Sequence, residues 1–249
     1  MAAKKGRGST RDKLATYRRK RHFDKTAEPK GSSHSTRRKS LRFVIQKHDA
    51  TNLHFDFRLE LDGVMKSWAV PKGPSYDTSV KRLAMEVEDH PIEYNTFEGT
   101  IPEGEYGGGT VMLWDRGTYS SPSGNVDELR EGYTRGDLKF VLNGKRLKGS
   151  WVLVRIRRNE SSNKPQWLLI KHRDEYSEAL HDRDVVAEEM TSVTTGRTMD
   201  EIAGGRSRVW HSNRQATKPA KVTRRETPVR ASRRKPPAPR RRPSKRSRS

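Results

Sequence analysis

The sequence contains no cysteine and no long apolar run. Without thiols it has no disulfide, no thiolate metal ligand and no cysteine nucleophile, a composition that fits a reducing compartment. No stretch approaches the roughly 18 apolar residues of a membrane-spanning helix, and the N-terminus lacks the apolar core of a secretory signal. We therefore expect a cytoplasmic protein with no membrane partner.

Apolar residues are scarce as well. They make up 30% of the chain, against 34% charged residues, which is too few for the whole chain to pack. The net charge of +22 is concentrated at the two ends. Residues 1–42 hold 15 Lys and Arg against 3 acidic residues, and residues 213–249 hold 15 against 1, whereas residues 43–212 hold 23 against 27. We therefore expect a nearly neutral domain between two basic arms.

The arms have the composition of disordered segments, because such sequence buries little that would offset its ordering entropy. We expect residues 1–16 and the Pro/Arg/Ser-rich tail 213–249 to be disordered. We also expect them to bind nucleic acid by neutralising phosphates without reading sequence, which favours association with the nucleoid. Between the arms, residues 17–42 are predicted to pack on the domain, residues 43–190 to form it, and residues 191–212 to be a polar linker.

The middle of the chain has the pattern of a series of strands. Residues 54–60 alternate polar and apolar side chains, as in a strand with one buried face. Asp62-Gly63 is a hairpin turn, and residues 64–70 form the return strand. We predict a mostly β fold, a single compact antiparallel β-barrel-like domain with short helices. Further strands are predicted at residues 43–45, 83–88, 109–114, 137–142, 149–157 and 166–171, and short helices at residues 126–131 and 185–190.

The most informative stretch is QKHDATNLHFDFRLELDG. Side chains two apart on a strand share a face, so His54, Asp56 and Arg58 are predicted to project together, with His48 brought beside His54 by a turn at residues 49–52. Two imidazoles and a carboxylate make an incomplete coordination shell, and a metal there would polarise a phosphoryl oxygen. The neighbouring guanidinium can grip two phosphate oxygens. The pattern favours phosphate-ester hydrolysis, but the solvated face of an amphipathic strand explains the same row.

A second candidate cluster is EDHPIEY. His90 in it has the chemistry to protonate a leaving oxygen, although a surface turn before Pro91 explains these residues as well. The stretch PEGEYGGG lacks the Gly-Lys-Ser/Thr ending of a P-loop and is predicted to be a tight structural turn. Isolated candidates for phosphate contacts are Lys66, Ser67, Lys72 and Arg82.

Several blocks of the sequence resemble one family, and they occur in that family's order. They are FVIQKHDATNLHFDFRLELDGVMKSWAVPKGPS, EDHPIEY, GTIPEGEYGGGTVMLWDRG and WLLIKHRDEY. Together, from about Tyr17 to Tyr176, they resemble the 3′-phosphoesterase domain of bacterial DNA ligase D and its stand-alone relatives. The resemblance implies an eight-stranded barrel-like fold with the active site in a groove, and a monomer without ligase or polymerase domains.

The activity implied by the resemblance is manganese-dependent processing of DNA 3′ ends during non-homologous end joining. Such enzymes remove a 3′ phosphate and can trim a 3′-terminal ribonucleotide, leaving the 3′ hydroxyl that a polymerase or ligase requires. The implied cofactor is Mn²⁺, with other divalent transition metals as alternatives. The implied partners are DNA with 3′-phosphate or 3′-ribonucleotide ends, and separate ligase and polymerase proteins.

The resemblance also implies roles for individual residues. The implied metal ligands are His48, His54 and Asp56. The implied catalytic residues are His90, Arg58 and Tyr94, of which Arg58 and His90 would hold the scissile phosphate. Further matches to the family's substrate-binding surroundings are Gln46, Ser67, Lys72, Arg82, Arg21, Glu28 and Glu88.

One position departs from the family's pattern, and two other functions stay open. In KRHFDKTAEP, His22 stands where the family generally has Asp, and ribonucleotide trimming is the activity that we expect this change to affect. A non-haem iron oxygenase would use His54, Asp56 and His90 as its facial triad. A non-enzymatic DNA-binding or repair scaffold would depend on the basic arms alone.

Overall fold

The structure is a computed structural model that describes residues 13–31, 40–156 and 164–205. Its strands are β1 (Leu41–Asp49), β2 (Leu53–Leu61), β3 (Val64–Val70), β4 (Lys81–His90), β5 (Gly99–Ile101), β6 (Gly109–Ser120), β7 (Asp137–Gly144), β8 (Lys148–Arg155) and β9 (Gln166–Lys171). Among these described strands the order is β1-β2-β3-β4-β9-β8-β7-β6, all antiparallel, and β6 pairs back to β1. Eight strands therefore close a barrel, with β5 paired to β6 outside the ring. The predicted mostly β, antiparallel barrel is confirmed.

The β2–β3 hairpin forms where the sequence predicts it. Asp62 and Gly63 both have left-handed backbones, with φ of 53° and 81°, as a two-residue hairpin turn requires. The turn sets the register in which Phe57 lies opposite Trp68, and Arg58 opposite Ser67. Alternate residues of both strands consequently point into the barrel and away from it.

The barrel interior is filled with aromatic and aliphatic side chains from every strand of the ring. The Phe57 ring lies 5.7 Å from the Phe140 ring, 6.4 Å from Phe43 and 6.5 Å from Trp68, centroid to centroid. Burying each such side chain contributes roughly 1.5–3 kcal/mol to folding. The inward row of β2 is thus committed to the core, and its polar row is left on the outer face.

Short helices surround the barrel. They are α1 (Ala15–Arg19), a 3₁₀ helix (Ile92–Thr96), α2 (Val126–Arg135), α3 (Glu175–Leu180), α4 (Val185–Glu188) and α5 (Met199–Ala203). The two predicted helices are confirmed, but α2 is longer than expected. Asn125 caps its start by accepting from the Asp127 N–H, and Gly136, with φ of 88°, ends it in a left-handed conformation. None of the helices in the described ranges is long and apolar enough to cross a membrane.

Two predicted boundaries differ from the structure. Leu14, assigned to the disordered arm, is 2% exposed and packs in one cluster with Tyr17. At the other end, Ile202 of the predicted polar linker is 1% exposed and packs into the barrel core. Residues 13–16 and 191–205 therefore belong to the packed domain. The remainder of both predicted arms, residues 1–12 and 206–249, lies outside the described residues.

The N-terminal segment, residues 13–31, covers part of the barrel's outer face. Tyr17 is fully buried, and its hydroxyl donates to the Pro29 carbonyl at 2.7 Å. It packs there with Tyr94 of the 3₁₀ helix and with Phe97. This second, smaller core stands beside the polar row of β2, and the functional site lies between the two.

Candidate metal and phosphate site

Strands β1 and β2 bring the predicted ligands together. His48 lies directly opposite His54, and Gln46 opposite Asp56, in the antiparallel register. Directly opposed side chains share a face of the sheet, and the two imidazole rings are 4.8 Å apart. One ligand atom from each of His48, His54 and Asp56 lies within 4.8 Å of the others.

Each imidazole is oriented by a backbone carbonyl. His48 donates its Nε2–H to the Gly107 carbonyl at 3.0 Å, and His54 donates its Nδ1–H to the Asn52 carbonyl at 2.8 Å. A carbonyl only accepts, so each of these nitrogens carries a proton, and in a neutral ring the other nitrogen, His48 Nδ1 or His54 Nε2, is the one that can bind a metal ion. Those two nitrogens lie 3.4 and 3.6 Å from the Asp56 carboxylate.

These residues fit a divalent transition metal. Ligands held at about 2.1 Å from one ion stand roughly 3–3.5 Å from each other, close to the 3.4 and 3.6 Å between the imidazole nitrogens and the Asp56 carboxylate. Second hydrogen bonds from metal-binding imidazoles to carbonyl groups are the usual way of fixing such ligands. Burial opposes ionisation of Asp56, but Arg58 and the two histidines outweigh it and lower the carboxyl pKa, so the ligand is a carboxylate. The predicted metal-ligand set is therefore assembled.

Arg58 stands beside this set with an unused donor. Its Nη2 donates to the Asp56 carboxylate at 2.9 Å and its Nε donates to Gln46 Oε1 at 2.9 Å. Its Nη1 is buried and has no hydrogen-bond partner in the described part of the chain. A buried, unpaired guanidinium N–H is costly unless a ligand accepts from it.

Gln46 fixes the direction of that guanidinium. Its amide nitrogen donates to the carbonyls of Tyr94 and Phe97 at 3.2 and 2.8 Å. The amide oxygen is therefore turned toward Arg58 and cannot rotate away without breaking both bonds. Gln46 acts on the site through Arg58 and is a positioning residue.

A bulge brings His90 to the same face. The register of β3 and β4 shifts between Met65 and Ser67, so Val87 pairs with Ser67 and His90 pairs with Met65. Regular alternation from Val87 would have turned His90 toward the other face of the sheet. Bulges that re-aim a side chain are common beside active sites.

His90 is neutral in this arrangement. Its Nδ1–H donates to the Glu88 carbonyl at 2.8 Å, and its Nε2 accepts from Arg21 Nη2 at 3.0 Å. Burial, reinforced by the positive charges of Arg58 and Arg21, holds the pKa of His90 well below its ordinary value of 6.5. The ring is ready to take up a proton once a negative charge is placed near it.

Arg21 links the N-terminal segment to the site. Its Nε donates to Glu28 at 2.7 Å and its Nη1 to Glu88 at 3.1 Å. Glu28 also accepts from the Tyr94 hydroxyl at 2.9 Å. Burial, with the nearby Glu28 carboxylate, raises the pKa of Tyr94 well above its ordinary value. Tyr94 is therefore a protonated donor rather than a phenolate.

These side chains line a cleft of about 210 Å³. Hydrolysis of a phosphate ester needs a metal set, a guanidinium and an imidazole that converge, and here they share one cavity. The residues that line the cleft include His48, His54, Asp56, Arg58, His90, Tyr94, Arg21 and Glu88.

Residues 46–155 match the family model of the DNA ligase D 3′-phosphoesterase domain. These residues form a DNA ligase D 3′-phosphoesterase domain. The chain is 50% identical over 189 residues to the multifunctional non-homologous end joining protein LigD of Pseudomonas aeruginosa, a match that covers 75% of this chain and 22% of that protein. It is 40% identical over 176 residues to LigD of Mycobacterium tuberculosis, covering 71% and 22%. The chain thus spans about a fifth of the length of these curated relatives.

Five predicted substrate-binding residues are not among those lining the cleft of the phosphoesterase domain. Arg82 is two residues from Ala84, which packs in the barrel core, so it points to the opposite face of β4 from the site. Lys72 is exposed in the loop after β3. Ser67 is buried near Arg58, and its hydroxyl donates to the Met65 carbonyl at 2.9 Å. Gln46 and Glu28 contribute from behind the cleft wall.

The iron-oxygenase set of His54, Asp56 and His90 is not assembled. His90 is absent from the group of close ligand atoms in the described ranges. Both of its ring nitrogens are engaged, one with the Glu88 carbonyl and the other with Arg21. The third member of that group, beside His54 and Asp56, is His48.

Sequence reasoning missed part of the candidate site. The stretch PEGEYGGG is a tight turn, as predicted, with Glu105 N–H donating to the Pro102 carbonyl and Gly108 N–H to the Glu105 carbonyl. It also has a role in the site, because the Gly107 carbonyl orients His48. Lys20 was missed as well, and it donates to Glu88 at 3.0 Å. The Gly107–His48 contact joins residues 59 positions apart, and the Lys20–Glu88 contact joins residues 68 positions apart. Local sequence patterns do not predict contacts between residues so far apart.

Proposed function

We propose that this chain is a metal-dependent phosphoesterase that heals DNA 3′ ends. In this proposal it removes a 3′ phosphate, and also a 3′-terminal ribonucleotide, to leave a 3′ hydroxyl during non-homologous end joining. The names of the relatives support a role in end joining, and the matched domain supports phosphoesterase chemistry.

The observation that carries the proposal is the pairing of an assembled ligand set with a free guanidinium donor. His48, His54 and Asp56 present their ligand atoms to one point. Arg58, hydrogen-bonded to the same carboxylate, keeps Nη1 unpaired. A phosphate dianion between them would satisfy the buried donor and be held by a charge-assisted hydrogen bond.

When bound, a divalent cation supplies Lewis-acid polarisation of a phosphoryl oxygen and lowers the pKa of a bound water. The chain's own residues bind and orient the ester. Arg58 binds phosphate oxygens, and Gln46 keeps its guanidinium aimed. The incoming negative charge raises the pKa of His90, so its Nε2 takes a proton from solvent while Arg21 turns its Nη2–H toward the phosphate. As a water oxygen bonds to phosphorus and the bond to the DNA 3′ oxygen breaks, the protonated ring donates to that leaving oxygen and the water gives up a proton to solvent.

Mn²⁺ is the cation that we propose, with other divalent transition metals as alternatives. Two imidazoles and one carboxylate, with no thiolate, suit this class of ion. We further propose a monomer that acts in the cytoplasm at the nucleoid. It would pass repaired ends to separate ligase and polymerase proteins.

The test uses the full chain and 5′-labelled primer–templates that end in a 3′ phosphate or in one ribonucleotide. Products are resolved on a gel after incubation with Mn²⁺, Mg²⁺, Co²⁺, Zn²⁺ or EDTA. We expect Mn²⁺-stimulated conversion to a 3′ hydroxyl, no conversion in EDTA, and none with Asp56→Asn. His181→Ala serves as the matched histidine control because His181 is exposed and does not line the cleft.

Two results would decide against the proposal. Full activity in EDTA would remove the metal role. DNA binding without any product under all of these metals would favour the non-enzymatic scaffold. The ribonucleotide substrate tests the second activity separately. This activity is the one that we expect His22 to affect, since His22 replaces the family's usual Asp, and His22 pairs with Glu105 at 2.7 Å.

A further inference from the structure

One exposed aromatic side chain stands at the wall of the cleft. Tyr106 lines the cleft and is 41% exposed, although buried aromatic rings are the rule elsewhere in this domain. Its neighbour Gly107, with φ of 78°, turns its carbonyl toward His48. The ring is therefore one residue away from the group that orients a metal ligand.

The ring is held in place from its hydroxyl end. The hydroxyl accepts from Lys20 Nζ at 3.1 Å and donates to Glu88 Oε2 at 3.4 Å. The Arg21 guanidinium lies 5.2 Å from the ring centroid, within the range of a cation–π contact. Because these contacts already hold the Tyr106 side chain in place, it loses little further conformational entropy when a ligand packs against the ring.

The ring lines the same cleft as the proposed phosphate-binding residues and is connected to them through Glu88. Glu88 joins Tyr106 to Arg21, and Arg21 in turn contacts His90. In a nucleotide, a single sugar separates the 3′ phosphate from the base. A phosphate at Arg58 and His90 would consequently leave the attached sugar and base at the cleft wall.

We infer that Tyr106 is a stacking platform for the nucleobase of the 3′-terminal nucleotide. This inference rests on the proposed function and adds a residue that binds the DNA rather than the phosphate. Stacking on an aromatic ring is tolerant of base identity, because every base has a π face. Tyr106 therefore gives the site a preference for nucleotide ends over simple phosphate esters, without selecting a sequence.

A competing explanation makes Tyr106 a brace that only ties Lys20 and Glu88 together. Two substitutions separate these roles. Tyr106→Phe keeps the ring and removes both hydroxyl bonds, whereas Tyr106→Leu removes the ring as well. Leu83→Ala is the matched surface control, since Leu83 is 39% exposed and does not line the cleft.

The direct test places 2-aminopurine, a fluorescent base, at the 3′-terminal nucleotide of a 3′-phosphorylated oligonucleotide. Its emission is followed as full-length protein is added in EDTA, so that no turnover occurs, while the anisotropy of a 5′ dye reports binding. We expect stacking to quench the emission with the wild type, Tyr106→Phe and Leu83→Ala, and not with Tyr106→Leu. Equal quenching by bound Tyr106→Leu would overturn the inference.

A kinetic test uses Mn²⁺ and two substrates, one with a normal terminal base and one with an abasic terminal nucleotide. Tyr106→Leu should raise KM roughly tenfold for the normal end, within the range of base–aromatic stacking, and leave KM for the abasic end unchanged. An equal rise on both substrates, or a Phe variant as impaired as Leu, would show a brace and refute stacking. If the wild-type protein releases phosphate from neither substrate, the proposed function is wrong. The quenching experiment, which needs no turnover, then tests the stacking of the base on its own.

Discussion

Asp56 and Arg58 lie two residues apart on the outer face of β2, and a 2.9 Å hydrogen bond joins Arg58 Nη2 to Asp56 Oδ2. One strand therefore supplies both a proposed metal ligand and a proposed phosphate clamp. The rise of a strand fixes their spacing, and the shared hydrogen bond fixes their orientation. The proposed functions of the two residues are coupled for this reason.

Replacing the shared carboxylate should remove metal binding. Asp56→Asn substitutes a neutral amide, so the negative charge is lost both from the ligand set and from the acceptor of the Arg58 hydrogen bond. We expect at least about a 100-fold loss of Mn²⁺ affinity, since even supporting residues around metal sites contribute 10–100-fold. The free Mn²⁺ signal in electron paramagnetic resonance measures this directly. A variant that binds Mn²⁺ as tightly as His181→Ala does would contradict the ligand assignment.

Gln46→Ala should impair turnover while leaving the metal in place. The substitution leaves Arg58 Nε and two backbone carbonyls without their partner. We expect kcat to fall roughly tenfold, equivalent to the loss of about one oriented hydrogen bond to a charged group. Mn²⁺ affinity should stay unchanged. Gln166→Ala on β9 is the matched control, and an equal decline in that variant would show a general effect on folding.

Stability should decrease in mild acid because of His90. Its pKa in the folded domain is lowered, so below pH 6.5 the unfolded chain takes up a proton that the folded chain does not. The free energy of unfolding is expected to be highest above pH 6.5 and to fall, by at most about 1.4 kcal/mol per pH unit for one proton, as the pH is lowered. Urea unfolding between pH 7.5 and 5 measures the slope.

The variant His90→Gln should flatten that slope. His172 also has a lowered pKa, from burial and nearby lysines, so a residual slope is expected in the variant. His172→Gln provides the comparison. An unchanged slope in His90→Gln would show that His90 is not held neutral in the folded protein.

The packing of the C-terminal segment can be tested by stability alone. Ile202 lies in the barrel core, so Ile202→Ala should lower the free energy of unfolding by about 2–5 kcal/mol. Met190 is 52% exposed, and Met190→Ala should change it by less than about 0.5 kcal/mol. Equal changes in the free energy of unfolding for the two variants would show that residues from 191 onward form an unpacked linker, as the sequence predicted.

The proposed metal ligands could be predicted from sequence because their geometry is local. Strict alternation from residue 54 to residue 60 predicts the shared face of His54 and Asp56. The short turn after Asp49 predicts that His48 pairs with His54, as the register shows. Both inferences need only the period of a strand and the length of one turn.

The rest of the site depends on contacts that no local period encodes. His90 reaches the cleft only because a bulge shifts the register of β4, and regular alternation would have turned it away. Arg82 was predicted at the site as an isolated basic residue and from the family resemblance, and the same strand turns it to the opposite face. Ile202 was assigned to a linker because most of its neighbours are polar, whereas Ile202 and Met199 dock their short helix on the barrel.

The aromatic interior and the polar outer row of β2 share a backbone but use different side chains. Changes to the outer row are therefore expected to leave the packing of the barrel core in place, and changes to the inner row to leave the ligand set in place. Strands β1 and β2 together offer a natural starting point for redesign, in which alternative ligand combinations are installed at positions 48, 54 and 56 on an unaltered scaffold.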